Sequence, residues 1–167
     1  LSMVKQYNIL VTGCSGQLGN EIKKISSEYD NYCFIFADKH ELDISNYLKI
    51  SNRVKEQKID IIINCAAYTN VNNAENDKEL ANLINNKSVG NIAKICFDND
   101  IQLVHISTDY IFDGLKGRLY TENDKPNPIN FYGLTKFNGE KKILSYNLRK
   151  SIIIRTSWLY SNSDNNF

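Results

Sequence analysis

Residues that hold metal ions or build disulfide frameworks are scarce in this chain of 167 residues. His40 and His105 are the only two histidines, and the four cysteines are scattered with no C-x-x-C pair among them. Zinc sites need clustered cysteine and histidine ligands, and small disulfide-stabilised domains need cysteines at framework spacings. The sequence therefore predicts no metal site and no disulfide scaffold.

An excess of charge of either sign and long hydrophobic runs are also missing. Twenty basic and nineteen acidic side chains leave a formal net charge of +1, so no global field attracts nucleic acid or an anionic membrane surface. The longest apolar runs have the length of a strand, and none resembles a secretion signal or a membrane span. We expect a cytoplasmic protein with no nucleic-acid or membrane partner.

Apolar runs of strand length alternate with segments whose apolar residues recur at helical spacing. Strands are predicted up to Thr12 and over 32–37, 59–64, 102–107 and 151–155, and helices from near Leu18, from an N-cap at Ser45 to about Gln57, and over 77–97 and 131–145. This alternation is typical of a parallel sheet, and the length suits one layered core. We predict a single α/β domain over residues 1–167, a Rossmann-like doubly wound parallel sheet with helices on both faces.

The stretch from Ile9 to Gly19 reads I-L-V-T-G-C-S-G-Q-L-G, and the rest of the chain is organised around it. Its glycines, Gly13, Gly16 and Gly19, lead a buried strand into a helix. Glycine is needed where the backbone turns tightly, approaches a pyrophosphate and packs a helix against a strand. The helix N-terminus offers N–H groups to the phosphates. The pattern predicts a dinucleotide site, and its G-x-x-G-x-x-G spacing favours the short-chain dehydrogenase/reductase type.

The end of the second predicted strand bears on the choice between NADH and NADPH. Asp38 lies about twenty residues after the glycine turn, where a carboxylate commonly accepts the ribose hydroxyls and so favours NAD. Lys39 favours the opposite choice if it binds a 2′-phosphate, and it is otherwise a solvated surface lysine. The cofactor is therefore predicted as NADPH or NADH. At the end of the third strand, the small residues Ala66 and Ala67 either let the cofactor lie against the backbone or serve only in packing.

Tyr132 and Lys136 are four residues apart in a predicted helix, so their side chains share one face. A tyrosine that transfers a proton needs its pKa brought closer to the working pH, and a neighbouring ammonium favours the phenolate. Thr108, at the end of the fourth strand, can hold a substrate oxygen in place for hydride transfer. Together the three side chains predict the reversible reduction of a ketone to an alcohol.

Six motifs occur in order along nearly the whole chain. They are the stretch 9–19, L-D-I at 42–44, I-N-C-A-A-Y-T at 63–69, H-I-S-T-D-Y-I-F-D-G at 105–114, Y-G-L-T-K at 132–136 and R-T-S-W at 155–158. In these motifs the sequence resembles the dTDP-4-dehydrorhamnose reductase family of extended short-chain dehydrogenases/reductases. The resemblance implies NAD(P)H-dependent reduction of dTDP-4-dehydro-L-rhamnose to dTDP-L-rhamnose, a nucleotide-sugar step in polysaccharide biosynthesis.

The resemblance also implies roles for the residues that match. Tyr132 would donate the proton, Lys136 would hold the nicotinamide ribose, and Thr108 would bind the keto oxygen. With Asp38, Lys39 and Lys136, the predicted cofactor-binding residues are Gly13, Gly16, Gln17, Leu18, Gly19, Asp43, Ile44, Ala66, Ala67, Tyr68 and Asn85. The predicted substrate-binding residues are Thr108, Asp109, Tyr110 and Trp158.

The sequence departs from the family pattern in a few places. Asn72 stands where the family usually has aspartate, and Ser161 stands where it usually has glycine. Family members continue well beyond the position of Phe167 into a smaller domain that holds much of the sugar nucleotide. We therefore expect this chain to be the cofactor domain of a longer protein, able to bind NAD(P)H but with little or no turnover alone. The family also suggests a homodimer of the full-length protein.

Two other functions are compatible with the same scaffold. One is a non-catalytic dinucleotide-binding regulatory subunit similar to the beta subunit of methionine adenosyltransferase, which would not need the full set of Thr108, Tyr132 and Lys136. The other is a sugar-nucleotide epimerase or dehydratase. A dehydratase needs further carboxylates beside the threonine, and here Asp109 is followed by Tyr110 rather than by glutamate. The reductase is the leading hypothesis.

Overall fold

The computed structural model describes residues 6–161, in which strands and helices alternate. The strands are β1 (Tyr7–Thr12), β2 (Tyr32–Ala37), β3 (Ile61–Asn64), β4 (Gln102–Thr108) and β5 (Ser151–Thr156). The helices are α1 (Gln17–Ile25), α2 (Tyr47–Glu56), α3 (Lys78–Asn82), α4 (Val89–Asp98) and α5 (Phe131–Ser145), with single 3₁₀ turns at Ser26–Glu28, Asn73–Glu75 and Asp109–Ile111. No helix within residues 6–161 is long and apolar enough to cross a bilayer.

The five strands form one parallel sheet in the order β2-β1-β3-β4-β5. The chain first moves from β1 to β2 and then returns to the other side of β1, so the strand order reverses between β1 and β3. Thr12 at the end of β1 is paired with Ala37 of β2 and Asn64 of β3. Open parallel sheets bind ligands beyond the carboxyl ends of the strands at such a reversal. The topology therefore places a ligand site beyond β1 and β3.

The hydrophobic core lies between the sheet and three of its helices. Leu10, Ile62 and Leu103 are fully buried, and each contributes about 1.5–3 kcal/mol by its burial. They pack with Ile50 and Val54 of α2, Ile92 and Cys96 of α4, and Ile143 of α5. The right-handed rule for crossover connections puts these three helices on one face of the sheet and α1 on the other. The predicted Rossmann-like, doubly wound arrangement is confirmed.

Two helices differ from their predicted form. Asn46 rather than Ser45 caps α2, because the Asn46 side chain accepts the Lys49 N–H at 3.0 Å. The helix predicted as continuous over 77–97 is α3 and α4 joined by a π-helical segment, Leu83–Ser88. Helix α5 lies very close to this segment, since a Cβ on Gly139 would be 2.2 Å from the Asn85 carbonyl oxygen. Apolar periodicity in one helix does not show such an approach by another.

A largely buried ion pair connects β5 to α5. The fully buried Glu140 carboxylate accepts hydrogen bonds from Arg155 Nη2 at 2.7 Å and Nε at 3.1 Å. The guanidinium also lies over the Phe112 ring, 5.5 Å from its centroid. Two parallel N–H···O bonds give a carboxylate its strongest pairing with arginine. The pair therefore fixes β5 against the helix that carries Tyr132 and Lys136.

Replacing Arg155 with alanine is expected to lower the free energy of unfolding by about 3 kcal/mol, because it leaves a buried carboxylate without its partner. The matched control is Lys150→Ala, which breaks the exposed Lys150–Asp100 pair at 2.8 Å and is expected to change the free energy of unfolding much less, because water screens that pair. Urea denaturation of the two variants measures the difference. Equal losses in both variants would show that Glu140 does not depend on Arg155.

Candidate active site

A cavity of about 730 Å³ opens at the carboxyl ends of β1, β3, β4 and β5. Most of the predicted site residues line it, namely Gly13, Gly16, Gln17, Leu18, Gly19, Lys39, Asp43, Ile44, Ala66, Ala67, Tyr68, Thr108, Asp109, Tyr110, Tyr132, Lys136 and Trp158. Asp38 and Asn85 are not part of its wall. The fold therefore brings the predicted cofactor, catalytic and substrate residues to one concave surface of the size typical of ligand sites.

The glycine turn between β1 and α1 has no room for side chains at two positions. Gly13 has a φ of +67°, and a Cβ there would lie 2.7 Å from the Ala66 backbone nitrogen. A Cβ on Gly19 would lie 2.6 Å from both the Gly13 oxygen and the Cys14 Cα. Gly16 is the N-cap of α1, and no side chain caps this helix. The close backbone approach and the uncapped helix N-terminus fit a pyrophosphate.

The Asp38 side chain is engaged within its own turn. Its carboxylate accepts hydrogen bonds from the backbone N–H groups of His40 at 2.8 Å and Glu41 at 3.0 Å. These bonds, of which the one from Glu41 has the larger effect, hold the pKa of the carboxyl below its usual range. A carboxylate that caps its own turn and does not line the cavity is poorly placed to accept ribose hydroxyls. Lys39, the next residue, does line the cavity.

Asn85 supports the cavity wall from behind rather than forming it. Its side chain accepts the Tyr68 N–H at 2.9 Å and donates to the Tyr68 carbonyl oxygen at 3.0 Å. The same amide lies 3.2 Å from the Thr135 hydroxyl, next to Lys136 on α5. Asn85 is 1% exposed, so its role here is to hold the Tyr68 backbone against α5. The structure thus places Asn85 behind the cavity wall, and its contact with the cofactor stays a prediction.

Thr108, Tyr132 and Lys136 meet at one side of the cavity, although Thr108 is far from the other two in sequence. Helix α5 reaches the turn after β4 because Gly133 has no side chain: a Cβ there would lie 2.1 Å from the Tyr110 carbonyl oxygen. The Tyr132 ring packs edge-on against the Tyr110 ring, with centroids 5.7 Å apart. The Thr108 hydroxyl donates to Asp109 Oδ1 and accepts the Tyr110 N–H, both at 3.2 Å.

The electrostatics of Tyr132 differ from the prediction. Burial raises the pKa of the phenol, a hydrogen bond with Thr108 partly opposes this, and the Asp109 carboxylate and Tyr110 raise it further. Lys136 is directed elsewhere: its Nζ donates to the Ile106 carbonyl oxygen at 2.6 Å. In the chain as folded, Tyr132 is therefore a neutral phenol near pH 7 rather than a phenolate favoured by the lysine.

Lys136 is almost completely buried, with 2% of its surface exposed. Burial lowers the pKa of its ammonium to about 8, and the charge of Glu140 opposes that shift. Between about pH 8 and the ordinary lysine pKa of 10.5, the folded chain has therefore released the Lys136 proton, whereas the unfolded chain still holds it. The resulting cost in stability is fully present below pH 8 and is lost as the pH rises toward 10.5.

Replacing Lys136 with methionine is expected to raise the free energy of unfolding at pH 7 by about 3 kcal/mol, because the pKa falls from 10.5 to about 8 and each pKa unit corresponds to about 1.4 kcal/mol. The gain is expected to fall below about 1 kcal/mol at pH 10. Urea denaturation at both pH values measures it, with Lys55→Met, an exposed position on α2, as the control. A gain that is the same at both pH values would contradict the expectation.

The segment after β5 closes the cavity on the side opposite β2. Trp158, the only tryptophan of the chain, lines the cavity, is 66% exposed and has a φ of +51°. The Gln17 side chain donates to the Leu159 carbonyl oxygen at 3.0 Å. Gln17 thus links the start of α1 to the segment that carries the predicted substrate contact.

Several wall residues were not predicted. They are Ser15, Leu42, Cys65, Thr69, Val71, Leu80, Ile84, Ile106, Ser107, Thr156, Ser157 and Leu159. The rule that ligands lie beyond strand ends identifies Cys65, Ser107 and Thr156 in principle, because each lies at the end of β3, β4 or β5. Burial raises the pKa of the Cys65 thiol to about 12, which makes it a packing residue and not a nucleophile.

A comparison with protein-family models matches residues 7–167 to the RmlD substrate binding domain. The match covers almost the whole chain. The chain belongs to this family. Membership in the RmlD family agrees with the order of the motifs and with the meeting of the glycine turn, Thr108, Tyr132 and Lys136 at one cavity.

Relatives of this RmlD-family chain have reductase names. It is 40% identical over 162 residues to the dTDP-4-dehydrorhamnose reductase of Salmonella typhimurium, covering 96% of this chain and 54% of the relative. It is 38% identical over 158 residues to the dTDP-4-keto-6-deoxy-D-glucose reductase of Streptomyces niveus, covering 95% of this chain and 54% of that protein. The chain thus spans about half the length of the curated relatives it matches.

A solved structure from the same family has a closely similar fold. The dTDP-4-dehydrorhamnose reductase of Bacillus anthracis, in complex with NADP, superposes with a TM-score of 0.91 at 39% identity. The match covers 97% of this chain and 57% of the other. The RmlD-family fold described here therefore corresponds to a little over half of that reductase.

Proposed function

We propose that the complete protein is an NAD(P)H-dependent reductase of the 4-keto group of dTDP-4-dehydro-L-rhamnose, which it converts to dTDP-L-rhamnose. The observation that carries the proposal is the meeting of Thr108, Tyr132 and Lys136 with the glycine turn at one cavity. A dinucleotide site without chemistry needs only the glycine turn. The three side chains add a proton donor, a cation and a hydroxyl beside it.

The bound reduced nicotinamide would supply the hydride. On the protein side, Tyr132 supplies the proton to the carbonyl oxygen, and its raised pKa keeps the phenol protonated near neutral pH. A proton donor must hold its proton before the reaction, so this shift suits reduction rather than oxidation. The Thr108 hydroxyl, held by Asp109 and the Tyr110 N–H, orients the same oxygen.

Lys136 would have two effects in this proposal. Its ammonium binds ribose hydroxyls near the end of β4, where it now donates to the Ile106 carbonyl oxygen. Its positive charge also stabilises a phenolate once Tyr132 has given up its proton. Because burial already lowers the pKa of Lys136 to about 8, this assistance is expected to weaken above that pH.

The sugar would lie between the catalytic threonine and the segment after β5. Asp109, Tyr110 and Trp158 line this part of the cavity, and an aromatic ring pairs with an apolar sugar face while a carboxylate accepts its hydroxyls. The similarity to a dTDP-4-keto-6-deoxy-D-glucose reductase supports a second candidate substrate of the same class. Both are 4-keto-6-deoxy sugars on a dTDP carrier, and both need the same transfer of hydride and proton.

The alternatives are less well supported. A regulatory subunit would not need Thr108, Tyr132 and Lys136 arranged around one cavity. A dehydratase would need further carboxylates beside the threonine, and Tyr110 occupies the position after Asp109. Location in the cytoplasm and a homodimer of the complete protein belong to the same proposal, with no nucleic-acid or membrane partner.

The test is oxidation of NADPH and NADH, followed by absorbance, when the complete protein is given dTDP-4-dehydro-L-rhamnose or dTDP-4-keto-6-deoxy-D-glucose. Turnover of either sugar with a dTDP-6-deoxyhexose product supports the reductase. Tight dinucleotide binding without turnover of either sugar would favour the regulatory subunit. Release of water or inversion at another carbon, detected by NMR of the product, would favour the dehydratase or epimerase.

A further inference from the structure

The turn after β2 uses both of its carboxylates internally. Asp38 accepts the N–H groups of His40 at 2.8 Å and Glu41 at 3.0 Å. In return, the Glu41 carboxylate accepts the Asp38 N–H at 3.2 Å. The Leu42 N–H closes the turn by donating to the Asp38 carbonyl oxygen at 2.9 Å. Neither carboxylate belongs to the cavity wall, because each is engaged with the backbone of the other residue.

Lys39 is the charged residue of this turn that lines the cavity. Its side chain is exposed at the rim, beside the end of β2, where the pairing of Thr12 with Ala37 puts β2 next to the glycine turn. Asp43 lies on the same wall, but its carboxylate already accepts the Ser45 N–H at 2.9 Å. This hydrogen bond is the main reason that the pKa of the Asp43 carboxyl lies below its usual range, and the charge of Lys39 lowers the pKa further.

We propose that Lys39 makes the protein select NADPH over NADH by binding the phosphate on the 2′ oxygen of the adenosine ribose. The inference rests on the proposed function, which places a dinucleotide in this cavity. In a doubly wound sheet the adenosine ribose lies beyond the second strand, and the residues there read its 2′ substituent. A free carboxylate at this point accepts the 2′-hydroxyl and repels a phosphate. Here the Asp38 carboxylate is hydrogen-bonded within its own turn, and Lys39 lines the cavity.

The charge balance of this wall favours a phosphate. A phosphate monoester carries close to two negative charges at neutral pH and offers strong acceptor oxygens to an ammonium. Asp43 offsets the lysine with a single charge, which is already hydrogen-bonded to the Ser45 backbone. NADH presents a neutral hydroxyl at the same place and gains much less from Lys39. The difference is expected to appear as affinity for NADPH, with the rest of the dinucleotide bound in the same way.

The test is titration of the protein with NADPH and with NADH, followed by the fluorescence of the reduced nicotinamide. The unmodified protein is expected to bind NADPH at least about tenfold more tightly than NADH. In Lys39→Met the affinity for NADPH is expected to fall about tenfold and the affinity for NADH to stay within about twofold. Added salt should weaken NADPH binding more steeply in the unmodified protein than in the variant.

Two control variants separate Lys39 from its neighbours. Lys23→Met removes another exposed lysine near the same turn, whose ammonium lies 5.9 Å from the Phe36 ring centroid, and is expected to leave the preference unchanged. Asp38→Asn is also expected to preserve it, because the amide oxygen can still accept the His40 and Glu41 N–H groups. A selective loss of NADH affinity in Asp38→Asn would instead show that Asp38 holds the ribose, against the inference.

The outcomes distinguish the inference from the function on which it rests. Equal affinity for the two nucleotides, or an equal fall for both in Lys39→Met, overturns the role of Lys39 and leaves the dinucleotide site intact. Binding of neither nucleotide overturns the dinucleotide site itself and the preference with it. A preference for NADPH that disappears only in Lys39→Met supports both.

Discussion

Replacing Tyr132 with phenylalanine is expected to lower kcat for sugar reduction by the complete protein about 10²–10⁴-fold, the range typical of losing a positioned general acid. The change removes the phenol oxygen and keeps the ring. The ring packs with Ala74, Ala81 and the Tyr110 ring, so the shape of the cavity is expected to persist. Affinity for the reduced dinucleotide should therefore stay within about threefold of the original value.

The measurement is steady-state oxidation of NADPH together with a separate titration of NADPH binding. Tyr146→Phe is the matched control, because Tyr146 caps the other end of the same helix and packs against Phe97. Reduction by Tyr132→Phe at more than about a tenth of the original rate would remove Tyr132 as the proton donor. A parallel loss of NADPH affinity would instead indicate that the ring has moved.

Replacing Gly19 with alanine is expected to reduce affinity for NAD(P)H about 100-fold or more, a loss of roughly 2.7 kcal/mol of binding free energy. The added Cβ would lie 2.6 Å from the Gly13 carbonyl oxygen and from the Cys14 Cα. Both are backbone atoms of the glycine turn, so the clash cannot be relieved by rotating a side chain. The turn or the start of α1 must shift, and the pyrophosphate contacts shift with it.

Fluorescence titration with NADPH measures this loss, and circular dichroism checks that the helices are retained. Gly90→Ala is the matched control: its Cβ would meet the flexible Lys142 side chain at 3.3 Å, and alanine is the better helix former. That variant is expected to bind NADPH normally. Normal binding by Gly19→Ala would mean that the turn between β1 and α1 is not the pyrophosphate site.

Local sequence patterns predicted most of the secondary structure because the signals are local. The run 59–64 is short and mainly apolar, which predicts a buried strand wherever it lies in the sheet, and the structure has a strand over Ile61–Asn64. The glycine turn was equally clear, since Gly13 and Gly19 are needed by the backbone of the turn and its immediate neighbours. Where a boundary depended on which polar side chain bonds to which N–H, as between Ser45 and Asn46, the prediction was wrong by one residue.

Other features depend on which partner a polar side chain or a helix meets in the folded chain. The π-helical segment Leu83–Ser88 lies against α5, and its Asn85 side chain holds the Tyr68 backbone. The direction of the Asp38 carboxylate depends on the N–H groups of its own turn. Its residue type and spacing alone indicated a ribose contact. Only the tertiary structure shows which of several chemically suitable partners a polar side chain meets.

The sequence by itself determined the α/β class, the glycine turn and the shared helical face of Tyr132 and Lys136. Each of these follows from patterns among residues that are close together in the sequence. The tertiary structure decided the strand order, the meeting of Thr108 with α5 and the protonation of the site. Tyr132 and Lys136 have pKa values shifted mainly by burial. Burial is a property of everything packed around a group, and no spacing along the chain determines it.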